Sequence, residues 1–271
     1  MNTNLENQTS HQWIDIGVNL SNKQFKDQQA TILETAKAEG VESIIITGTD
    51  LEESKKAIEM AEIFGQYATA GIHPHDAKEN SDDVFDQITL LSAHPQVVAI
   101  GETGLDFNRN FSTPEDQCSS FAKHIELAKS SGKPMFLHER DAGDTMFEIL
   151  SQHRDQLSNA VIHCFTGSEE DLKRYLDLDL YIGITGWICD ERRGYHLHDL
   201  VKLIPSNRLM IETDAPYLLP RSLSPKPKNR RNEPQYLPHI GQYIANILEK
   251  PVKQLASETY DNTKRFFNLT S

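Results

Sequence analysis

Glu102, His138, His163 and Asp214 each stand at or beside the end of a short apolar run, in VVAIGE, PMFLHE, NAVIHC and LMIETD respectively. Imidazole and carboxylate are the side chains that Mg²⁺, Mn²⁺ or Zn²⁺ accept as ligands. One histidine or acid at the end of one run is usually surface or a satisfied packing residue. Four at equivalent places are a pattern, and the same places also hold Asp15 and Asn19, His73 and His75, and Arg140. A divalent ion gathered by such residues activates water and polarises a phosphoryl or carbonyl oxygen, so the chemistry expected is hydrolysis. Glu102, His138, His163 and Asp214 are therefore the candidates to hold such an ion.

Residues so far apart in sequence meet only if the chain brings its strand ends together. Eight apolar runs recur at 13–19, 43–48, 67–73, 97–102, 134–139, 159–164, 180–186 and 209–214. The segments between them read as helices. Thr113 is placed to cap a helix with Pro114 at its first position, and Gly132 ends it. Cys118, Phe121, Ala122, Ile125 and Ala128 are expected to form its buried face. Ser168 caps another, with Glu169, Glu170 and Asp171 at the positive end of the helix dipole. Strands alternating with helices imply right-handed crossovers and a parallel sheet. Eight units predict an α/β fold of the TIM (β/α)₈ barrel type, in which all strand C-termini share one face. No GxGxxG follows the first strand, which argues against a doubly wound nucleotide-binding sheet. Residues 1–271 read as one domain, with one or two extra helices from Glu233 onward.

The chain has 271 residues and a formal net charge of −13. That charge argues against broad nonspecific affinity for nucleic acid or acidic membranes, although a local basic patch or a metal can still govern a site. The segment RSLSPKPKNRR, residues 221–231, carries Arg221, Lys226, Lys228, Arg230 and Arg231 with no acid. No apolar run approaches the roughly 20 residues of a membrane span. The first twelve residues, MNTNLENQTSHQ, lack the basic and apolar regions of a signal peptide. Cys118, Cys164 and Cys189 have no CxxC spacing, pointing to a reducing compartment and hence to the cytoplasm.

Motifs then narrow the reading. GIHPHD (71–76), GETGLDF (101–107), FLHER (136–140), IHCFTG (162–167) and IETDAPYLLP (211–220) resemble the signature set of the TatD family of metal-dependent nucleases. DIGVNL, ITGWICDERRG and RRNEP extend the resemblance from about residue 13 to the end. It implies an amidohydrolase-type barrel with Mg²⁺-dependent 3′→5′ exonuclease activity on single-stranded DNA and RNA. It also implies one or two ions, with Glu102, His138 and His163 as ligands and Asp214 as the last-strand aspartate. On that reading Asp214 completes the shell or accepts the water's proton, and His73 and Arg140 face the phosphate or leaving group. The wider family places a His-x-His pair at the end of the first strand, where this chain reads Gly17-Val18-Asn19. Asp15, Asn19 and His73 are the residues left to complete a second metal site there.

A single strand needs cations for its phosphates and aromatic faces for its bases. Arg109 with Phe107 and Phe111, Trp187 with Arg192 and Arg193, and Tyr217 with Arg221 offer both in loops. Cys164 is expected to face the core, because neighbouring strand residues point opposite ways. His94, His124, His153, His196 and His198 read as surface or packing residues. Two rivals stand beside the nuclease: hydrolysis of a C–N or ester bond in a small molecule, and a non-catalytic scaffold. The first lacks the His-x-His pair and has a glutamate where a lysine is usual after the fourth strand. The second leaves four converging ligands without a purpose. The substrate expected is the 3′ end of single-stranded DNA or RNA, and the protein is expected to be monomeric.

Overall fold

The computed structural model describes residues 11–269, so the polar start read as lacking a signal peptide lies almost wholly outside the described residues. Eight parallel strands form one sheet in sequential order. They are β1 (Trp13–Val18), β2 (Val41–Ile46), β3 (Tyr67–Ala70), β4 (Val97–Asp106), β5 (Met135–Arg140), β6 (Ala160–Ile162), β7 (Tyr181–Ile184) and β8 (Leu209–Ile211). The sheet closes on itself just beyond β8. Val18 bridges Ala215, and the Asp214 N–H donates to the Gly17 carbonyl at 2.9 Å. The result is the TIM barrel that the alternating pattern predicts.

Helices α1 (Gln29–Ala38), α2 (Leu51–Phe64), α3 (Asp82–Ser92), α4 (Pro114–Ser131), α5 (Gly143–His153), α6 (Glu169–Asp177) and α7 (Leu197–Leu200) follow successive strands. Two more, α8 (Leu237–Ile247) and α9 (Val252–Phe267), complete the described chain. One apolar cluster fills the barrel, from Ile14, Ile16, Ile45, Phe136 and Val161 to Phe266 and Phe267 of α9. A larger one lies between the strands and the surrounding helices. Parallel strands buried on both faces in this way need apolar residues at every position, which is why the runs read as continuous rather than alternating.

The helix signals act as their chemistry dictates. Thr113 and Asp116 form a reciprocal capping box on α4, Ser168 and Asp171 form another on α6, and Gly132 ends α4 at φ 69°. The face of α4 differs from expectation. Ala122 is exposed and Cys118 half-buried, whereas Gln117, Phe121, His124, Ile125 and Ala128 are buried. Polar side chains join this face where their atoms are satisfied: Gln117 holds the backbone of Asp106 through both its N–H and C=O, at 2.8 and 3.0 Å. His124 bridges the Ser120 carbonyl and the Ile72 N–H at 2.7 and 3.1 Å.

Strand ends also differ. β4 does not stop at Glu102 but continues to Asp106, while β6 and β8 end before His163 and Asp214. The extension of β4 requires glycine. Gly101 and Gly104 have φ of 144° and 135°, and a Cβ would lie 2.2 Å from the Phe136 carbonyl oxygen and 2.1 Å from that of His138. No other residue tolerates both the conformation and the approach. The register with β5 shifts between Ile100 and Thr103, and Glu102 sits within that irregular stretch.

Candidate metal centre

Glu102 is the hub of the site. Its Oε1 lies 2.8 Å from His163 Nε2, 3.0 Å from His138 Nδ1 and 3.3 Å from His73 Nε2. Glu102 as a whole is 6% exposed. Burial opposes its charge, yet the imidazoles of His163 and His73 hold its pKa well below the usual carboxylate range.

His163 and His73 are oriented from behind. His163 Nδ1 faces Glu212 Oε2 at 3.3 Å, and Glu212 also accepts the Cys164 N–H at 2.5 Å. A proton held on Nδ1 by Glu212 leaves the Nε2 lone pair aimed at Glu102, the arrangement that buried carboxylates impose on metal-ligating imidazoles. Two lone pairs 2.8 Å apart need a cation between them. Without an ion the cluster takes a proton: burial opposes it, but Glu102 and Glu212 raise His163 well above its ordinary value.

His138 Nε2 is buried without a hydrogen-bond partner, 3.4 Å from Asp106 Oδ2 but outside hydrogen-bond geometry. Asp106 in turn meets His75 Nε2 at 2.7 Å and accepts the N–H groups of Asn108 and Arg109 at 3.0 and 2.9 Å. Despite desolvation, His138 and His75 hold the Asp106 carboxyl far below its usual range. His73 Nδ1 accepts the His75 N–H at 3.1 Å, which favours the proton on Nε2 and makes His73 a donor towards Glu102. Burial lowers His73 to about 4, so the ring is neutral at pH 7.

His73, Glu102 and His138 offer one ligand atom each, all within 4.8 Å of one another. With His138 Nδ1 and His163 Nε2 both facing Glu102, this donor set suits a divalent ion that accepts nitrogen and oxygen. Asp214, at φ 55° just past β8, accepts from Asn19 Nδ2 at 3.1 Å, and burial raises its pKa to about 7.

These side chains surround a cavity of about 510 Å³ at the C-terminal mouth of the barrel, lined also by Arg109, Phe111, Arg140 and Tyr217. Carboxylates, imidazoles and arginines converging on one strand-end cavity can hold a cation, bind an anion and move a proton. Residues 14–268 match the family of TatD-related DNases. The chain belongs to the TatD-related DNase family. A TatD-family protein of Citrobacter rodentium, described as a 3′–5′ single-stranded DNA/RNA exonuclease, is 49% identical over 257 residues, covering 94% of this chain and 98% of its own. The Escherichia coli K12 protein of the same description is 47% identical over 256 residues, with 94% and 98% covered. Among solved structures, a TatD-family hydrolase of Entamoeba histolytica superimposes with a TM-score of 0.86 at 28% identity, covering 95% of this chain and 98% of that one.

In this TatD-family chain the structure brings Glu102, His138, His163, Asp214, His73, Arg109 and Arg140 to one cavity. Arg192 and Arg221 are elsewhere: both point at Asp190, at 3.5 and 3.6 Å, with Arg193 at 3.2 Å. Arg193 also covers the Trp187 ring at 4.5 Å. Asp15 lies inside the barrel, where it accepts from the N–H of Thr213 at 2.9 Å and its hydroxyl at 2.5 Å. It holds the segment leading to Asp214 and does not line the cavity. Asn19 does line it.

Cys164 departs from expectation. It lines the cavity, because the chain has already left β6 at Ile162 and turns at φ 46°, so strand alternation no longer applies. Burial pushes its thiol well above the ordinary value, so it is no thiolate. Sequence reasoning missed Asp106 and Glu212. Asp106 stands four residues past the glutamate that closes the run VVAIGE, beyond the expected strand end. Glu212 left one signal, a glutamate in LMIETD between an apolar run and Asp214.

Proposed function

We propose that the protein is a metal-dependent 3′→5′ exonuclease that hydrolyses phosphodiester bonds of single-stranded DNA and RNA. The observation that carries this reading is the contact of Glu102 with three imidazoles in a barrel-mouth cavity that also holds two arginines. The relatives' described activity supports the substrate class and the polarity. Glu102, His138 and His163 would hold Mg²⁺, with Mn²⁺ or Zn²⁺ as chemically acceptable alternatives, and one or two ions in total. Such an ion supplies Lewis-acid charge to the phosphodiester and acidifies the attacking water.

The protein's own groups do the rest. Arg109 and Arg140 bind the phosphate and orient it. Asp214 accepts the proton of the attacking water as the new P–O bond forms. A pKa near 7 suits a general base at neutral pH, and a nearby cation would draw it lower. The bond from phosphorus to the 3′ oxygen of the preceding nucleotide breaks, and that oxygen takes a proton. His73, with its proton on Nε2, is placed to donate to the phosphate or the leaving oxygen. Asn19 fixes the Asp214 carboxylate.

We read the enzyme as a cytoplasmic monomer acting in DNA repair or RNA turnover, the compartment being supported by three cysteines that form no disulfide among the described residues. No described helix is long and apolar enough to cross a membrane. The test is nucleotide release from a 3′-labelled single strand with Mg²⁺ or Mn²⁺, against the same reaction in excess chelator. Release confined to the metal-containing reaction is expected. Activity that survives chelation overturns the metal reading.

A further inference from the structure

A second cavity, of about 710 Å³, adjoins the first and shares Asn19, Thr49 and Tyr217 with it. Its outer wall carries Lys23, Lys26 and Lys56. We propose that this groove is the track for the phosphodiester backbone on the 5′ side of the scissile bond. The inference rests on the exonuclease reading above and adds where the rest of the strand runs.

Three observations support it. The first is charge. A chain of net charge −13 repels a polyanion except where cations line its path. Lys23 and Lys26 are exposed, and among the described residues neither side chain has an anionic partner. Lys56 is paired with Glu53 at 2.7 Å, and Ser21 also bonds that carboxylate, so the acid in the groove is already neutralised. By contrast Arg192, Arg193 and Arg221 are gathered on Asp190.

The second is rigidity. The turn that carries Lys23 and Lys26 is pinned by Arg231, which bonds the Gln24 carbonyl, meets Gln28 at 3.0 Å, pairs with Glu233 and lies 4.9 Å over the Phe25 ring. A positioned pair of ammonium groups loses less entropy on binding than a pair on a free loop.

The third is a stacking face at the junction. Tyr217 is 49% exposed between the two cavities, and its hydroxyl accepts from Asn22 Nδ2 at 3.0 Å, which ties it to the lysine turn. Aromatic faces beside a cationic groove are what a single strand binds without sequence preference. Phe111, which lines the first cavity and not the second, is 56% exposed and packs on His75 at 4.7 Å, leaving the first cavity for the terminal nucleotide.

The experiment compares two substrates of the metal-loaded enzyme. One is a ten-nucleotide oligothymidylate. The other is the p-nitrophenyl ester of thymidine 5′-monophosphate, in which nitrophenolate replaces the upstream strand. Replacing Lys23 and Lys26 together by alanine should raise KM for the oligonucleotide roughly tenfold at low salt while kcat changes less than about twofold. The salt dependence of binding should fall by about 1.4 in log–log slope, for two lost phosphate contacts on a single strand. Turnover of the ester should be unchanged. Arginine at both positions should restore the oligonucleotide KM, and Lys253→Ala on α9 should match the wild type on both substrates. Circular dichroism checks folding. If the wild type degrades the oligonucleotide but the double alanine variant does so with the same KM, or loses the ester equally, the track is elsewhere. If the metal-loaded wild type leaves the oligonucleotide intact, the exonuclease reading itself falls, and this inference with it.

Discussion

His163 Nδ1 lies 3.3 Å from Glu212 Oε2, and Glu212 is fully buried against Gly17 and Gly183. A Cβ on either glycine would come within 2.4 and 2.7 Å of that carboxylate. The barrel therefore reserves space for a charged group whose work is to set which nitrogen of His163 carries the proton. Glu212→Gln keeps the size and loses the charge. Metal affinity should weaken by about 10–100-fold, with activity partly recovered at high Mg²⁺. Titrating activity against metal concentration checks this, and an unchanged midpoint would count against the orienting role.

Asp214→Asn tests the proton acceptor. The amide keeps the contact with Asn19 and the shape of the turn, so oligonucleotide should still bind. Removal of a general base should lower kcat by about 10²–10⁴-fold. His163→Ala should lose comparable activity through metal binding instead, and near-wild-type turnover of either variant would contradict the assigned roles.

Gly104→Ala should cost several kcal/mol, on the order of 3 or more, because the backbone conformation and the His138 carbonyl both exclude a methyl group. Thermal unfolding reads the loss directly. A small change in Tm would mean that β4 relaxes without disturbing β5.

His124 provides a pH prediction away from the metal centre. Burial lowers its pKa from 6.5 to about 4, so the folded ring stays neutral while the unfolded ring takes a proton below pH 6.5. The unfolded state binds more protons in that window, so stability falls as pH drops from 6.5 to 4, by about 3 kcal/mol in all. His124→Gln retains a donor and an acceptor for Ser120 and Ile72 but does not titrate. Denaturant unfolding in chelator should show a shallower acid loss for the variant, and parallel curves would refute the assignment.

Much of this was legible in the sequence for physical reasons. Continuous apolar runs mark strands covered on both faces, and Thr113, Pro114, Gly132 and Ser168 act through local backbone chemistry that needs no tertiary context. The ends of the runs led to Glu102, His138, His163 and Asp214 because a barrel exposes those ends together. The reach of β4 to Asp106 was not legible. Inside the barrel mouth polar residues continue a strand, and only Gly101 and Gly104 hinted at the irregular pairing. Glu212 was hidden because a buried acid in an apolar run declares itself only through the side chain that it faces. Cys164 was misplaced for the same reason that β6 was drawn too long. The pairing of Arg192 and Arg221 with Asp190, and the groove beside Lys23 and Lys26, depend on loop conformations that composition does not fix.

The most direct test of the account is the rate of 3′-terminal nucleotide release from single-stranded DNA by metal-stripped protein titrated with Mg²⁺, for the wild type and Glu102→Gln in parallel. The wild type should be silent without metal and gain activity to saturation. Glu102→Gln, folded by circular dichroism, should stay silent throughout, because it removes the one carboxylate that contacts all three imidazoles. Equal release by the two proteins, or full wild-type release in chelator, would contradict it.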